Sequence, residues 1–289
     1  MSILDTDELV IALEKALPEL SEEHQADATP WQPHDWVPWD LGKNYAFLGG
    51  KDWEPSDSNT PDEVRAALVA LLLLKDNLPS YHRLLAMYFP AFSDWRQLVG
   101  VWTAEDNRHA IVLRDYLVVT RAVDPVEAEN RRRIHVVAGY RQTEESVADL
   151  RPLSVLALLA VHELQTAGFT AKLRGVVTDD VLAQILAKIE ADDASQARYF
   201  VGFLGAGLVA DQDATVTAID WALNHIDTIG ADVEDFDEQR KLFAHYEDDS
   251  TRGAIAKAIV DQLKLESVEG LSPEAQAGKE RILALAAQA

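Results

Sequence analysis

Four stretches of this chain are too apolar to lie on a surface, and each is interrupted by ionisable or amide side chains. The first follows Pro61 and reads EVRAALVALLLLKDNLPSYHRLLAMYF, with Lys75 and Asp76 breaking its apolar run. The second spans about Asp94–Arg121 and carries Asp106 and His109. The third, about Pro152–Arg174, is broken by His162 and Glu163, and the fourth, about Asp179–Leu208, by Asp193 and Gln196. Runs this long and this continuously apolar predict central helices buried on most sides. Pro79 should kink the first helix or end its first part. No segment alternates with the two-residue period of a strand, and no 20–50-residue repeat is evident. The expectation is an all-α fold with long buried helices at its centre.

Charges inside such helices are costly unless they are paired or bind metal. Asp106 and His109 lie three residues apart and share a helix face, as do Asp193 and Gln196. Four helices with inward polar groups, two of them at this spacing, match the layout of a metal pair in a bundle core. The competing reading is a set of buried salt bridges, for example Lys75 with Glu163. Spacing alone leaves both open. The chain has no cysteine, so any metal must be held by carboxylate, imidazole or amide groups.

A chain of 289 residues with 48% hydrophobic and 26% charged residues is ordinary for a globular protein. The amino terminus reads as an amphipathic helix with acids among its apolar residues, not as a signal peptide. The runs Ala66–Leu74 and Leu153–Val161 are too short to span a bilayer. No transmembrane segment and a cytoplasmic location are therefore expected. The net charge of −23 disfavours nucleic acid and anionic membranes as partners. The segment from Ala26 to Pro61 is rich in Trp, Pro, Asp and Gly, and Trp31, Trp36, Trp39 and Trp53 suggest an ordered loop wrapped on a scaffold. Residues 1–289 are read as one unit: a terminal helix and wrapped loop over 1–61, a bundle core over 62–210, and a helical cap over 211–289.

Five segments carry a family resemblance. WTAEDNRH at Trp102–His109, followed by LRDYLVVTRAVDPVE at Leu113–Glu127, resembles the region of the first Glu-x-x-His of acyl-acyl-carrier-protein desaturases. WQPHDWVP at Trp31–Pro38 resembles that family's WQPxDFLP motif, and DNLPSYH at Asp76–His82 its EEALPTY helix. HELQT at His162–Thr166 and IEADDASQARY at Ile189–Tyr199 are similar to its QERAT and xAADEKRHExAY segments. All five occur in family order over roughly Ala26–Leu208, and HDWVPWDLGKNYAFLGGKDW points to the actinobacterial branch.

The resemblance implies a ferritin-like helical bundle with a Trp-rich amino-terminal loop and extra carboxy-terminal helices. It implies two irons, reduced ferredoxin as electron donor, acyl carrier protein as partner and a homodimer. It also implies that O2 activated at the irons places a double bond in a carrier-bound acyl chain. Position by position, the family's first terminal Glu falls at Lys75 and its first bridging Glu at Asp106. The partner His is kept as His109 and the second terminal Glu as Glu163. The second bridging Glu falls at Asp193 and the last His at Gln196. Trp31 and Asp192 match the family's electron-transfer route, and Thr166 matches the Thr that assists oxygen activation.

The mismatches predict an impaired di-iron site, either empty or reduced to a single metal held by Asp106, His109, Glu163 and Asp193. An ammonium at Lys75 has no lone pair and opposes a cation. Each Glu→Asp change shortens a bridge by about 1.5 Å, against ligand tolerances of about 0.2 Å. Gln196 offers only an uncharged amide oxygen. Without metal, Lys75 is expected to pair with Glu163, Asp106 or Asp193. Asp76, next to Lys75, and His162, next to Glu163, are alternative ligands if the register slips. The basic run Arg131, Arg132 and Arg133 is either a solvated face or a docking patch for acidic carrier protein. Three functions stay open: an oxidative enzyme with an altered site, an inactive acyl-carrier or lipid-binding homologue, and a partner subunit of an active paralogue.

Overall fold

The computed structural model describes residues 6–90, 92–138 and 150–289. Its centre is four helices: α4 (Asp62–Asp76), α6 (Trp95–Val119), α8 (Pro152–Val176) and α9 (Asp180–Ala210). Around them lie α1 (Thr6–Glu14), α2 (Leu17–Asp27), α3 (Pro33–Trp36), α5 (Leu78–Tyr88) and α7 (Pro125–Ala138). The carboxy-terminal part adds α10 (Gln212–His225), α11 (Asp237–Phe243), α12 (Asp249–Leu263) and α13 (Pro273–Ala286). There is no strand among the described residues. Pro79 stands in the first turn of α5, where its missing N–H costs nothing, so the first apolar run is two helices. Asp179 caps α9 by accepting from the Leu182 amide at 2.7 Å, and Asp211 caps α10 through Ala214 at 3.0 Å.

The core is divided in two. One apolar cluster holds Leu78, Leu84, Trp95, Trp102, Leu156, Val161, Phe200 and Leu204. The other holds Leu68, Leu71, Val112, Leu113, Phe169, Leu173, Leu186 and Ile189. Between them every central helix turns polar, at Lys75, at Asp106 and His109, at Glu163 and Thr166, and at Asp192, Asp193 and Gln196. Helices α4 and α9 run from the second cluster to the first, while α6 and α8 run the opposite way. Two parallel helices joined in sequence need one long crossover, which α7 begins.

Helix α8 is long and apolar enough to cross a membrane, but 78% of its most apolar window is buried inside the fold. Its hydrophobicity is that of a core element. The expectation from run length alone therefore needs the tertiary packing to complete it.

The Trp-rich loop is ordered in short turns, and one arginine holds it. Arg121, at φ 57°, donates to the Lys51 carbonyl at 2.6 Å, the Asp52 carbonyl at 3.3 Å and Asp57 Oδ2 at 2.6 Å. Its own carbonyl accepts from Trp53 Nε1 at 2.9 Å. Gly50 fits because any side chain there would collide with the Asn44 carbonyl, 1.8 Å from the Cβ position. Not every tryptophan is a packing anchor. Trp31 is buried, whereas Trp39 is 51% exposed and donates only to the His34 carbonyl of the same loop. Replacing Arg121 by Ala should cost about 2–3 kcal/mol, since hydrogen bonds from a charged group are worth roughly 1.5–3 kcal/mol each. Cleavage within residues 42–60 by limited proteolysis, at unchanged helix content, is the expected signature.

Candidate functional site

Lys75 is fully buried in the polar layer. Its Nζ donates to Asp106 Oδ1 at 2.7 Å and to Asp193 Oδ1 at 2.9 Å, and Glu163 Oε2 lies 3.7 Å away. Helices α4, α6, α8 and α9 each contribute one member. The i, i+3 spacing works as expected on α6. His109 Nδ1 lies 3.1 Å from Asp106 Oδ1 and 3.4 Å from Asp193 Oδ1. The other ring nitrogen, Nε2, is 3.0 Å from Asp192 Oδ2.

Asp192 is the hub of a second layer. Its Oδ2 also accepts from Trp31 Nε1 at 2.8 Å and from Arg108 at 2.9 Å. The Trp31 and His109 rings are nearly parallel, with centroids 6.1 Å apart, and the Arg108 guanidinium lies over Trp31. Trp102 Nε1 donates to Glu163 Oε1 at 2.7 Å and holds that carboxyl in place. Thr166 Oγ1 donates to the Glu163 carbonyl at 3.2 Å, one turn back on its own helix.

The charged groups shift one another's ionisation. Burial alone would lower the Lys75 pKa, but Asp106, Asp193 and Glu163 overcome it and hold the ammonium well above its usual value. Burial opposes ionisation of Asp106 too, yet Lys75 and His109 keep it well below the ordinary carboxylate range. Burial lowers His109, but hydrogen bonds to Asp106 and Asp192 and the charge of Asp193 raise it to about 9. Burial pushes Glu163 up to about 8, only partly opposed by Lys75, and Asp193 is raised for the same reason. Burial and the Lys75 charge lower His162 to about 3. Near neutral pH Lys75 and His109 therefore stand as cations among the carboxyl groups of Asp106, Glu163 and Asp193. Within this layer, among the described residues, the buried oxygens Glu163 Oε2, Asp193 Oδ2 and Gln196 Oε1 have no hydrogen-bond partner.

The structure brings Lys75, Asp106, His109, Glu163 and Asp193 together. Gln196 is buried on the same face as Asp193, but its amide donates away from the cluster, to Glu105 Oε2 at 3.3 Å. Glu105 is in turn 2.9 Å from His24 Nε2, and His24 stacks on Tyr199. Neither register alternative joins the cluster. Asp76 pairs with Arg114 on α6, and His162 packs its ring against Tyr81, with centroids 4.5 Å apart. Among the described residues, Asp106, His109 and Asp193 form one group whose ligand atoms all lie within 4.8 Å of each other. Arg131 and Arg132 are paired along their own helix with Glu127 at 3.1 Å and Glu129 at 2.7 Å, while Arg133 is exposed.

Sequence reasoning missed Trp102, Arg108, Glu105 and His24. The first two carried a local signal. Trp102 lies one turn before Asp106, and Arg108 is adjacent to His109. His24, 81 positions from Glu105, carried none.

Residues 5–289 match the family model described as fatty acid desaturase. The chain belongs to the fatty acid desaturase family. Among relatives of this family, the acyl-acyl-carrier-protein desaturase DesA2 of Mycobacterium tuberculosis is 37% identical over 228 residues, covering 79% of this chain and 81% of DesA2. DesA1 of the same organism is also 37% identical, over 245 residues that cover 82% of this chain and 71% of DesA1. The X-ray structure of DesA2 superposes with a TM-score of 0.72 at 30% identity, covering 93% of this chain and 98% of that one. The acyl-acyl-carrier-protein desaturase resemblance and the ferritin-like all-α fold read from the sequence both hold.

Proposed function

We propose that this desaturase-family protein binds acyl chains presented by acyl carrier protein, and that a lysine–carboxylate cluster replaces the metal pair expected at its centre. The observation that carries this reading is the position of Lys75 Nζ, 2.7 and 2.9 Å from the two aspartates that stand at the bridging positions. An ammonium there has no lone pair to offer a metal and repels one. The remaining donors do not make up the loss. Both bridges are shortened to aspartate, and the Gln196 amide is directed at Glu105. The Lys75 ammonium already pairs with the two aspartates, which leaves less carboxylate charge to answer a pair of divalent ions. Trp31, Asp192 and Thr166 keep their family positions as supports of the cluster. A ferredoxin-type donor belongs only with a loaded centre.

Metal analysis of protein purified from iron-supplemented cells tests this reading. The expected result is no stoichiometric iron, and two irons per chain would overturn it. Carrier-protein binding is tested separately with acylated carrier protein immobilised on a sensor. Because Glu127 and Glu129 already answer Arg131 and Arg132, docking on α7 should depend most on Arg133. Arg133→Glu should weaken binding roughly tenfold and Arg132→Glu less, since rim charges act mainly through encounter. Equal affinities for all three proteins would remove α7 as the docking face.

A further inference from the structure

We infer that the acidic segment at residues 232–238 is a built-in competitor for the basic side of α7 and holds down the protein's affinity for acidic partners there. This rests on the reading above that α7 receives acidic carrier protein. In the stretch DVEDFDE the acids alternate with Val233 and Phe236, which lie three residues apart. Those two side chains are buried in the second apolar cluster, while Glu234, Asp235, Asp237 and Glu238 are exposed. Apolar burial therefore pins the segment, and its carboxylates are left at the surface. Asp235 takes φ 52°, a left-handed conformation that a residue with a side chain holds only where its surroundings fix it.

Three contacts place the segment on the basic side of α7. Asp232 Oδ2 lies 3.9 Å from Nε2 of the buried His135. The Arg131 guanidinium lies over the Phe236 ring, 5.4 Å from its centroid. Glu234 and Asp235 line a cleft of about 170 Å3 together with Arg131, Ile134 and His135. The acids of the segment are not equivalent. Asp237 and Glu238 pair along their own helix, α11, with Arg240 and Lys241. Asp232, Glu234 and Asp235 are the ones turned to α7. Arg131 and His135 lie one turn apart, so one edge of α7 is met by the chain's own carboxylates, while Arg133 stays exposed. Like charge beside a docking face slows encounter with an acidic partner, over a range of about 10 Å at about 0.1 M salt.

The test compares two double variants that change the net charge equally, Glu234→Gln with Asp235→Asn and Asp237→Asn with Glu238→Gln. Both are measured on the immobilised acylated carrier protein used for Arg133→Glu. All four side chains are exposed and the Val233 and Phe236 anchors stay, so helix content by circular dichroism should be unchanged. The first variant should bind roughly five- to tenfold tighter than the unaltered chain, mainly through faster association, and the second less than about twofold tighter. The gain should shrink as salt rises from about 0.1 to 1 M, where the screening length falls to about 3 Å. Asp232→Asn, which removes the carboxylate facing His135, should tighten binding about two- to threefold and carries the comparison if the first variant does not fold. Equal gains from the two double variants would mean an effect of net charge alone and overturn the inference. So would the absence of any gain while Arg133→Glu still weakens binding. Unchanged affinity in Arg133→Glu overturns instead the docking reading on which the inference rests.

Discussion

Lys75→Met should lower the stability of the protein by about 3–5 kcal/mol, the usual consequence of removing one partner from a buried charge cluster. Methionine keeps most of the side-chain volume, so the loss is electrostatic and not a cavity effect. It leaves Asp106 and Asp193 in a fully buried layer with only His109 to answer them. Urea unfolding followed by circular dichroism measures the change. The diagnostic comparison is Lys75→Met combined with Asp106→Asn. Removing both charges should recover part of the loss, because a buried ion pair replaced by neutral groups is often no worse than the original. A single-variant loss under about 1 kcal/mol would show that the ammonium is not the cation that the carboxylates depend on.

Stability should also fall as pH rises from about 6.5 to 9. His109 is raised to about 9 in the fold, against 6.5 in the unfolded chain. Its contribution is fully present below 6.5 and is lost as pH climbs through 9. Glu163 is raised to about 8 from 4.5, so its contribution is lost in the same direction, between 4.5 and 8. His162 has the opposite sign. It is lowered to about 3, so it removes stability as pH falls below 6.5. Between 4.5 and 6.5 the Glu163 and His162 slopes oppose each other, which predicts a plateau. Above 6.5 both remaining slopes point downward, at about 1.4 kcal/mol per pH unit for each group. Unfolding free energies from urea titrations at pH 6.5 and 8.5 should differ by about 3 kcal/mol or more. A flat profile over that interval would mean that neither His109 nor Glu163 is held protonated by the fold.

How much of this was legible beforehand follows from helical periodicity. The apolar stripes of α4, α6, α8 and α9 marked them as central, and the residues that break those stripes are the residues of the polar layer. Pro79 marked the α4–α5 break. The segments WTAEDNRH, HELQT and IEADDASQARY carried the family. Trp39 turns outward within the ordered loop, because a tryptophan's size does not fix which way a loop points it. The α8 helix shows the converse. Its composition admits a membrane span, and only its packing partners make it a core helix.

The sequence by itself determined the family, the all-helical architecture, and the list of residues that must face one another at its centre. A helical repeat assigns each residue to a face, and a face is enough to say what is buried. The tertiary structure alone decided the partnerships: that of three candidate carboxylates the Lys75 ammonium donates to Asp106 and Asp193, that Gln196 turns to Glu105, and that Arg121 ties down the Trp-rich loop. Those contacts depend on how far each helix is rotated and shifted against its neighbours, which is set by side-chain packing across the whole core and leaves no local trace in the chain.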